Sequence, residues 1–322
     1  MFDRFYDAKF RGIVLQVLLM AGLLALFYII ASNTAANLAR QNVTSGFGFL
    51  GRTSGFDISQ KLVAYENTST FGRAFWVGLA NTLLVASIGI VLATLLGFVM
   101  GLARLSSNWL VARLATVYVE VIRNVPLLLQ LLFWYFAVLR SLPMPQDSYN
   151  LWGDVFLNRR GLYFPSPFDD TVPHLGRFNI EGGTVILPEF AALLVGLVVY
   201  TASFIAEIVR SGILGVPKGQ REAAAALGLS AGQTLRLVVI PQALRIIIPP
   251  LTNQYLNLTK NSSLAVAIGY PDLVSVFSGT VLNLSNQAVE VILITMAVYL
   301  TLSLITSLAM NLLNARMALV ER

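Results

Sequence analysis

The chain has 322 residues, of which 56% are hydrophobic and 12% are charged, and its mean hydropathy is +0.72. Soluble domains carry about 25% charged residues, so this composition excludes an ordinary soluble domain and indicates a membrane protein. The net charge of +6 comes without interleaved basic and aromatic residues, so nucleic acid is not an expected partner. The absence of cysteine excludes disulfides and thiolate chemistry, and the single histidine, His174, is a weak basis for a metal or acid–base site.

Six apolar segments reach the length of about 20 residues that a helix needs to cross a bilayer. In chain order they cover residues 12–32, 75–102, 117–139, 187–209, 237–258 and 289–313. The pattern predicts an all-α polytopic membrane protein with six transmembrane helices. The fifth segment contains Pro241, Pro249 and Pro250, so we expect this helix to be kinked or to start late. The first segment exceeds the apolar core of a signal peptide, about 7–15 residues, which favours a retained span over a cleaved leader.

Basic residues predict the orientation of these spans. If the six spans cross the membrane in alternating directions, the basic residues of the termini and short loops all lie on one side of it. These residues are Arg4, Lys9, Arg11, Arg104, Arg113, Arg210, Lys218, Arg221, Arg236, Arg316 and Arg322. Because lysine and arginine accumulate in cytoplasmic loops, we expect both termini in the cytoplasm. Residues 1–74 then form an N-terminal transmembrane helix with an outer loop, and residues 75–322 form the main transmembrane domain. That domain contains an outer insert at 140–186 and a cytoplasmic loop at 210–236.

The cytoplasmic loop contains a soluble-looking stretch, KGQREAAAALGLSAGQTLRLVVIPQAL, at residues 218–244. Pro217 suits a first helical turn, the four alanines favour a helix, and Gly228 permits the backbone to leave it. A helix of about eleven residues is marginal in water, so we expect it to pack on something. Docking into a groove of another protein and capping of its own bundle fit these residues equally well.

The same stretch resembles the EAA loop of ATP-binding-cassette (ABC) importer permeases. The matches are Glu222, Ala223, Ala224, Gly228 and Pro241, with Val238 and Ile240 as mild departures. The resemblance implies the type I ABC importer permease fold, with this loop as the coupling helix that enters a cleft of an ATPase subunit. The residues that it implies for that contact are Arg221, Glu222, Ala223, Ala224 and Gly228.

Other stretches are similar to the polar amino acid permeases, among them VEVIRNVPLLLQLLFWYF and LTKNSSLAVAIGYPDLV. The outer phrases NTAANLARQNVTSGFGFL and LWGDVFLNRRGLYFP resemble one branch, the general L-amino acid (glutamate/glutamine/aspartate/asparagine) permeases. This resemblance implies a bacterial inner-membrane location among membrane lipids. It also implies three protein partners: ABC ATPase subunits, a second homologous permease and a periplasmic amino acid-binding protein.

No segment fits the phosphate-binding pattern G-x-x-x-x-G-K-[S/T], so we expect no enzymatic activity in this chain. It then needs no cofactor of its own, and ATP and Mg²⁺ would bind to the partner ATPase.

Polar residues inside the spans are candidates for the substrate path, because they are costly there without a function. We expect Asn253, Gln254 and Asn257 to contact substrate, and Ser203 and Gln130 are further candidates. For two charged pairs, Glu120 with Arg123 and Glu207 with Arg210, simple pairing along one helix face is the favoured interpretation. An ion-coupled secondary transporter is the alternative function. A membrane enzyme is a third, which no nucleophile–base pair supports.

Overall fold

The computed structural model describes residues 8–40, 46–167 and 170–317; Arg4 and Arg322, two of the basic residues used for the orientation, lie outside these ranges. Its helices are α1 (Ala8–Arg40), α2 (Phe71–Ala103), α3 (Trp109–Asn124), α4 (Leu127–Leu132), α5 (Pro188–Leu214), α6 (Lys218–Ala226), α7 (Ala231–Thr234), α8 (Ile240–Asn261), α9 (Leu282–Ser285) and α10 (Ala288–Met317). In these ranges, five helical stretches are long and apolar enough to cross a bilayer, and one bent pair makes a sixth. The predicted number of spans is therefore confirmed.

The third span is broken, whereas the sequence predicted one helix over residues 117–139. α3 and α4 meet at 105°, and helical backbone continues from α4 through π-helical turns to Leu139. The break falls at Val125, which is extended with φ −102° and ψ 127°. The ring of Pro126 disfavours helical backbone in the residue before it, which explains the break.

α5 is the central helix of the bundle and packs closely against α2. The close approach depends on two glycines of α2. A Cβ at Gly97 would lie 2.5 Å from the Cβ of Ile205, and a Cβ at Gly101 would lie 2.7 Å from the Cβ of Val209. Small residues four apart let membrane helices approach in this way. Side chains at these positions would push α2 away from α5.

The fifth span starts earlier than the sequence predicted, at Ala231 rather than near residue 237. A capping box sets this start. The Ser230 hydroxyl accepts a hydrogen bond from the backbone N–H of Gln233, and the Gln233 side chain accepts one from the N–H of Ser230. Two otherwise unpaired donors at the helix start are thereby satisfied, so the prediction of a late start is wrong.

The prolines do not end the fifth span. Pro249 and Pro250 lie inside α8, and helical backbone continues from Ala231 to Ile268. Pro241 follows Ile240, the first residue of α8, and provides no N–H for the helical hydrogen bonds. π-helical turns at Leu235–Val239 come directly before it and take up the change in hydrogen bonding.

The segment before α2 packs onto the bundle. A short 3₁₀ helix, Phe47–Gly51, places Phe49 beside Phe71 of α2 and Phe277 of the π-helical stretch before α9. The ring centroids lie 6.4 Å and 6.3 Å apart, and Phe49 is buried. Aromatic contacts at this spacing add to the burial of apolar area. The segment is therefore part of the folded domain.

The insert at 140–186 forms small antiparallel sheets. Its strands are β1 (Tyr149–Asn150), β2 (Phe156–Asn158), β3 (Gly161–Phe164), β4 (His174–Leu175), β5 (Ile180–Glu181) and β6 (Thr184–Ile186). One sheet has the order β1-β2-β3-β6, and β4 pairs with β5. Strands of two to four residues are too short to show a clear alternation of apolar and polar side chains.

Candidate coupling surface and translocation path

α6 is a surface helix of nine residues between the fourth and fifth spans. Arg221, Glu222 and Ala223 are exposed, and Leu227, directly after the helix, is 82% exposed. Arg221 donates a hydrogen bond from Nη2 to the carbonyl oxygen of Ile213, at 3.0 Å. Since Ile213 lies at the end of α5, this bond ties the surface helix to the central helix of the bundle.

Ala224 differs from the other residues expected at the coupling contact. It is 3% exposed and faces this chain's own loop. Its small side chain lets α6 lie close to the segment that follows, so Ala224 is a packing residue and not an exposed contact. A cavity of about 380 Å³ lies beside it, lined by Arg221, Ala225, Leu229, Ala231, Thr234, Leu235 and Val239. The exposure of Leu227 was not predicted from the sequence. Its place as an apolar residue just before the glycine that ends the helix could have indicated it.

Gly228 ends the coupling segment through its backbone conformation. Its φ is +81°, and a Cβ at this position would meet no atom within 4 Å. Its N–H donates to the carbonyl of Ala225 at 2.9 Å, and the N–H of Leu229 donates to that of Ala224 at 3.1 Å. A left-handed glycine that closes a helix in this way satisfies the last free carbonyls. The residue is needed for its positive φ and not for space.

α8 presents a polar stripe inside the fifth span. Asn253 and Asn257 are exposed and four residues apart, so they share one helix face, and Gln254 beside them is half-buried. Lys260 continues the stripe and lines a cavity of about 400 Å³ together with Tyr299. Exposed amides at membrane depth are costly against lipid. The stripe therefore suits contact with water, a ligand or another protein.

Ser203 and Gln130 do not join this stripe. Ser203 is fully buried in α5 and donates to the carbonyl of Tyr200 at 2.6 Å. Gln130 is buried in α4, and its Nε2 donates to the carbonyls of Ile122 and Val125, both at 2.9 Å. These carbonyls lie at the break before Pro126. The contacts give both side chains a structural role, so we do not retain them as substrate contacts.

The two charged pairs behave differently. Glu120 and Arg123 form no ion pair with each other in the described part of the chain, so that prediction is wrong; the Arg123 guanidinium instead lies 4.9 Å from the ring centre of Phe204. The pair in α5 is confirmed, with 2.7 Å between Arg210 Nη2 and Glu207 Oε1. Arg104, which follows α2, also binds Glu207.

Comparison with known proteins identifies the family. Residues 89–319 match the model of the binding-protein-dependent transport system inner membrane component family. The general L-amino acid transport system permease protein AapQ of Rhizobium johnstonii is 49% identical, over 98% of this chain and 94% of its own. The putative amino-acid ABC transporter permease protein YhdX of Escherichia coli is 46% identical, over 99% and 97%. The glutamate/glutamine/aspartate/asparagine permease protein BztB of Rhodobacter capsulatus is 36% identical, over 98% and 96%.

Solved structures agree with this assignment. A crystal structure described as an amino acid ABC transporter with histidines matches with a TM-score of 0.58 and 27% identity, over 76% of this chain and 95% of the other. Its similarity extends over the helical bundle with the type I importer permease fold that the resemblance implied. The chain therefore belongs to the family of binding-protein-dependent transport system inner membrane components, the membrane-spanning permease subunits of ABC importers.

Proposed function

We propose that this chain is the permease subunit of an ATP-driven importer of polar L-amino acids, coupled to a separate ATPase through α6. The observation that carries the proposal is the exposed surface of α6, which stands between two membrane spans and is tied to α5. The names of the relatives, which refer to general L-amino acids and to glutamate, glutamine, aspartate and asparagine, support the substrate class.

In the proposed coupling, a cleft of the ATPase receives α6. Arg221, Glu222 and Ala223 supply the contact on the helix, and the exposed Leu227 supplies an apolar anchor beside them. A few residues that become fully buried on docking account for most of the affinity of such contacts. Gly228 sets the exit of the chain, so the anchor keeps its position relative to the helix.

Movement of α6 would reach the bundle through α5. Closure of the ATPase dimer on ATP would shift α6, and the bond from Arg221 to Ile213 passes that shift to the end of α5. α5 packs on both α2 and α8, so its movement changes the opening between them. Alternating access to a central path follows from this rocking of packed helices.

The proposed path runs along the polar stripe of α8. Asn253, Gln254 and Asn257 provide amide donors and acceptors for the carboxylate and ammonium groups of an amino acid. A second homologous permease would cover this face and complete the path, because the amides are exposed in the single chain. Whether the partner subunit is identical or only homologous does not affect the role of the stripe.

The proposed location is the bacterial inner membrane, with both termini and α6 in the cytoplasm. The basic flanks of the spans support this orientation. The insert at 140–186 and the segment before α2 then face the periplasm, where a binding protein would deliver the amino acid. ATP and Mg²⁺ would bind only to the ATPase.

Co-purification of the ATPase tests the coupling role. We expect Glu222→Lys and Gly228→Val to release the ATPase subunits, because the first reverses a charge on the contact and the second strains a φ of +81°. Gly232→Ala is the matched control, since Gly232 lies in a helix just beyond, with open space around it. Wild-type amounts of ATPase with both variants, together with unchanged uptake, would show that α6 is not the coupling contact.

A further inference from the structure

A third cavity, with several polar lining residues, lies at the insert, away from α6 and the stripe of α8. It measures about 500 Å³ and lies where the insert meets the start of α5 and the π-helical turns that follow α4. Its polar lining includes three guanidinium groups, of Arg140, Arg159 and Arg160, and one carboxylate, of Glu189. Cavities of about 300–1,000 Å³ suit small molecules. The lining has an excess of positive charge.

Two of the arginines form a rigid hairpin turn. Arg159 and Arg160 connect β2 to β3, where Asn158 pairs with Gly161. The Arg159 N–H donates to the carbonyl of Pro143 at 3.0 Å, and the Arg160 N–H donates to Oδ1 of the buried Asn158 at 2.8 Å.

The residue after the turn is also fixed. Gly161 has a φ of +142°, and a Cβ there would lie 2.4 Å from the carbonyl oxygen of Ile186. Only glycine fits both the backbone conformation and the space. The turn therefore fixes the backbone of its two arginines at the cavity before any ligand arrives.

The charged residues of the cavity differ in whether they have partners. Tyr135 donates to Glu189 Oε1 at 2.7 Å, and Arg140 donates to the Tyr135 hydroxyl at 3.4 Å and lies over its ring. These contacts hold the carboxylate of Glu189 in place. The guanidinium groups of Arg159 and Arg160 form no ion pair in the described part of the chain, and both residues are exposed while they line the same cavity.

We propose that this cavity binds an α-amino acid with a side-chain carboxylate on the outer face of the permease. The two carboxylates of such a ligand match the free guanidinium groups of Arg159 and Arg160, which bind carboxylates in bidentate geometry. Its ammonium group matches Glu189. A phosphate group alone could bind the two guanidinium groups, but it has no ammonium group to bind the carboxylate of Glu189. The inference deepens the proposed function and rests on the membrane orientation proposed there. An amino acid would bind in this cavity before it enters the central path.

Protection of an introduced cysteine tests the site directly. The chain has no cysteine, so Asn179→Cys places one thiol in the cavity lining, and Trp152→Cys places a control thiol at an 81% exposed position of the same insert. The intact complex in nanodiscs, without binding protein or nucleotide, would be labelled with a maleimide. We expect L-glutamate and L-aspartate to slow labelling of Cys at position 179 only, and L-glutamine and L-lysine to do so at about tenfold higher concentration or not at all.

Arginine variants assign the protection to the turn. In the Asn179→Cys background, Arg159→Ala with Arg160→Ala should raise the protecting concentration of glutamate about tenfold or more. Arg177→Ala is the matched control, because Arg177 belongs to the same insert but stacks on Phe178 and does not line the cavity. No protection, equal protection by all amino acids, or protection by phosphate or phospholipid alone would overturn the inference.

The same preparation separates this inference from the proposed function. If ATP-driven uptake persists but glutamate does not protect the thiol, the outer site is contradicted and the proposed function is not. Glutamate protection in a complex that lacks ATP-driven uptake supports the outer site and contradicts the proposed function.

Discussion

Arg104 and Glu207 form an ion pair that joins the end of α2 to α5, although 103 residues separate them in the chain. Glu207 also binds Arg210, so one carboxylate serves two guanidinium groups. The Arg104 side chain is only 11% exposed, which makes it dependent on this partner. The cluster lies one turn from the glycine contact between the same two helices and holds their ends together.

Glu207→Gln should destabilise the domain. The change removes the charge that compensates two arginines, one of them mostly buried, and hydrogen bonds to charged groups contribute about 1.5–3 kcal/mol each. We expect a clear drop in the melting temperature of the detergent-purified complex. Asp57→Asn is the control, since it breaks the exposed ion pair with Lys61 and should leave the melting temperature unchanged. Equal melting temperatures for wild type and Glu207→Gln would contradict this role.

Gln130→Leu should lower stability and leave amino acid selectivity unchanged. The substitution removes the side-chain donor to the carbonyls of Ile122 and Val125 at the break in the third span. The Ile122 carbonyl keeps the Val125 N–H at 3.4 Å, so the loss of a donor to Val125 sets the cost, about 1–3 kcal/mol. Thermal unfolding and competition uptake assays measure the two effects separately. Leu129→Ala on the exposed side of the same helix is the control. A selectivity change at normal stability would restore Gln130 as a substrate contact.

The buried carboxyl group of Asp272 should make the stability of the domain depend on pH. It lies between the fifth and sixth spans and is fully buried, and burial raises its pKa to about 7, against 3.8 for the free side chain. N–H groups of Val274 and Ser275 and the Tyr299 hydroxyl partly offset this shift. A raised carboxyl pKa gives stability that is complete below about pH 4 and is lost as the pH rises to about 7.

The melting temperature of the wild type should therefore fall between about pH 4 and 7 and level off above. Asp272→Asn keeps the shape of the side chain without its ionisation, so its melting curve should change less over this range. Differential scanning fluorimetry of both complexes gives the comparison. Parallel pH profiles for the two proteins would show that Asp272 does not titrate in this window.

The sequence was informative wherever function or fold follows from local pattern. Length and apolarity alone predict the spans, and the conformation of Gly228 follows from its place after a run of helix-forming alanines. Contacts between distant residues were not accessible in this way. The pairing of Arg104 with Glu207 and the hydrogen bonds of Gln130 depend on how the helices pack.

The break at Val125 shows a different limit. The proline that causes it lies in an apolar run long enough for a span, and hydropathy does not separate a straight helix from a bent one. The strands of the insert were missed because each is only two to four residues long. Arg159 and Arg160 can be read from the sequence, but only the fold shows that they line the same cavity as Glu189.

The most direct test of the account is uptake by the complete complex in proteoliposomes. We predict that a polar L-amino acid accumulates inside when ATP is supplied to the α6 side and binding protein to the other side. Glu222→Lys should abolish this accumulation, and Gly232→Ala should not. Accumulation that proceeds without ATP and follows an imposed ion gradient would contradict the account and favour an ion-coupled secondary transporter.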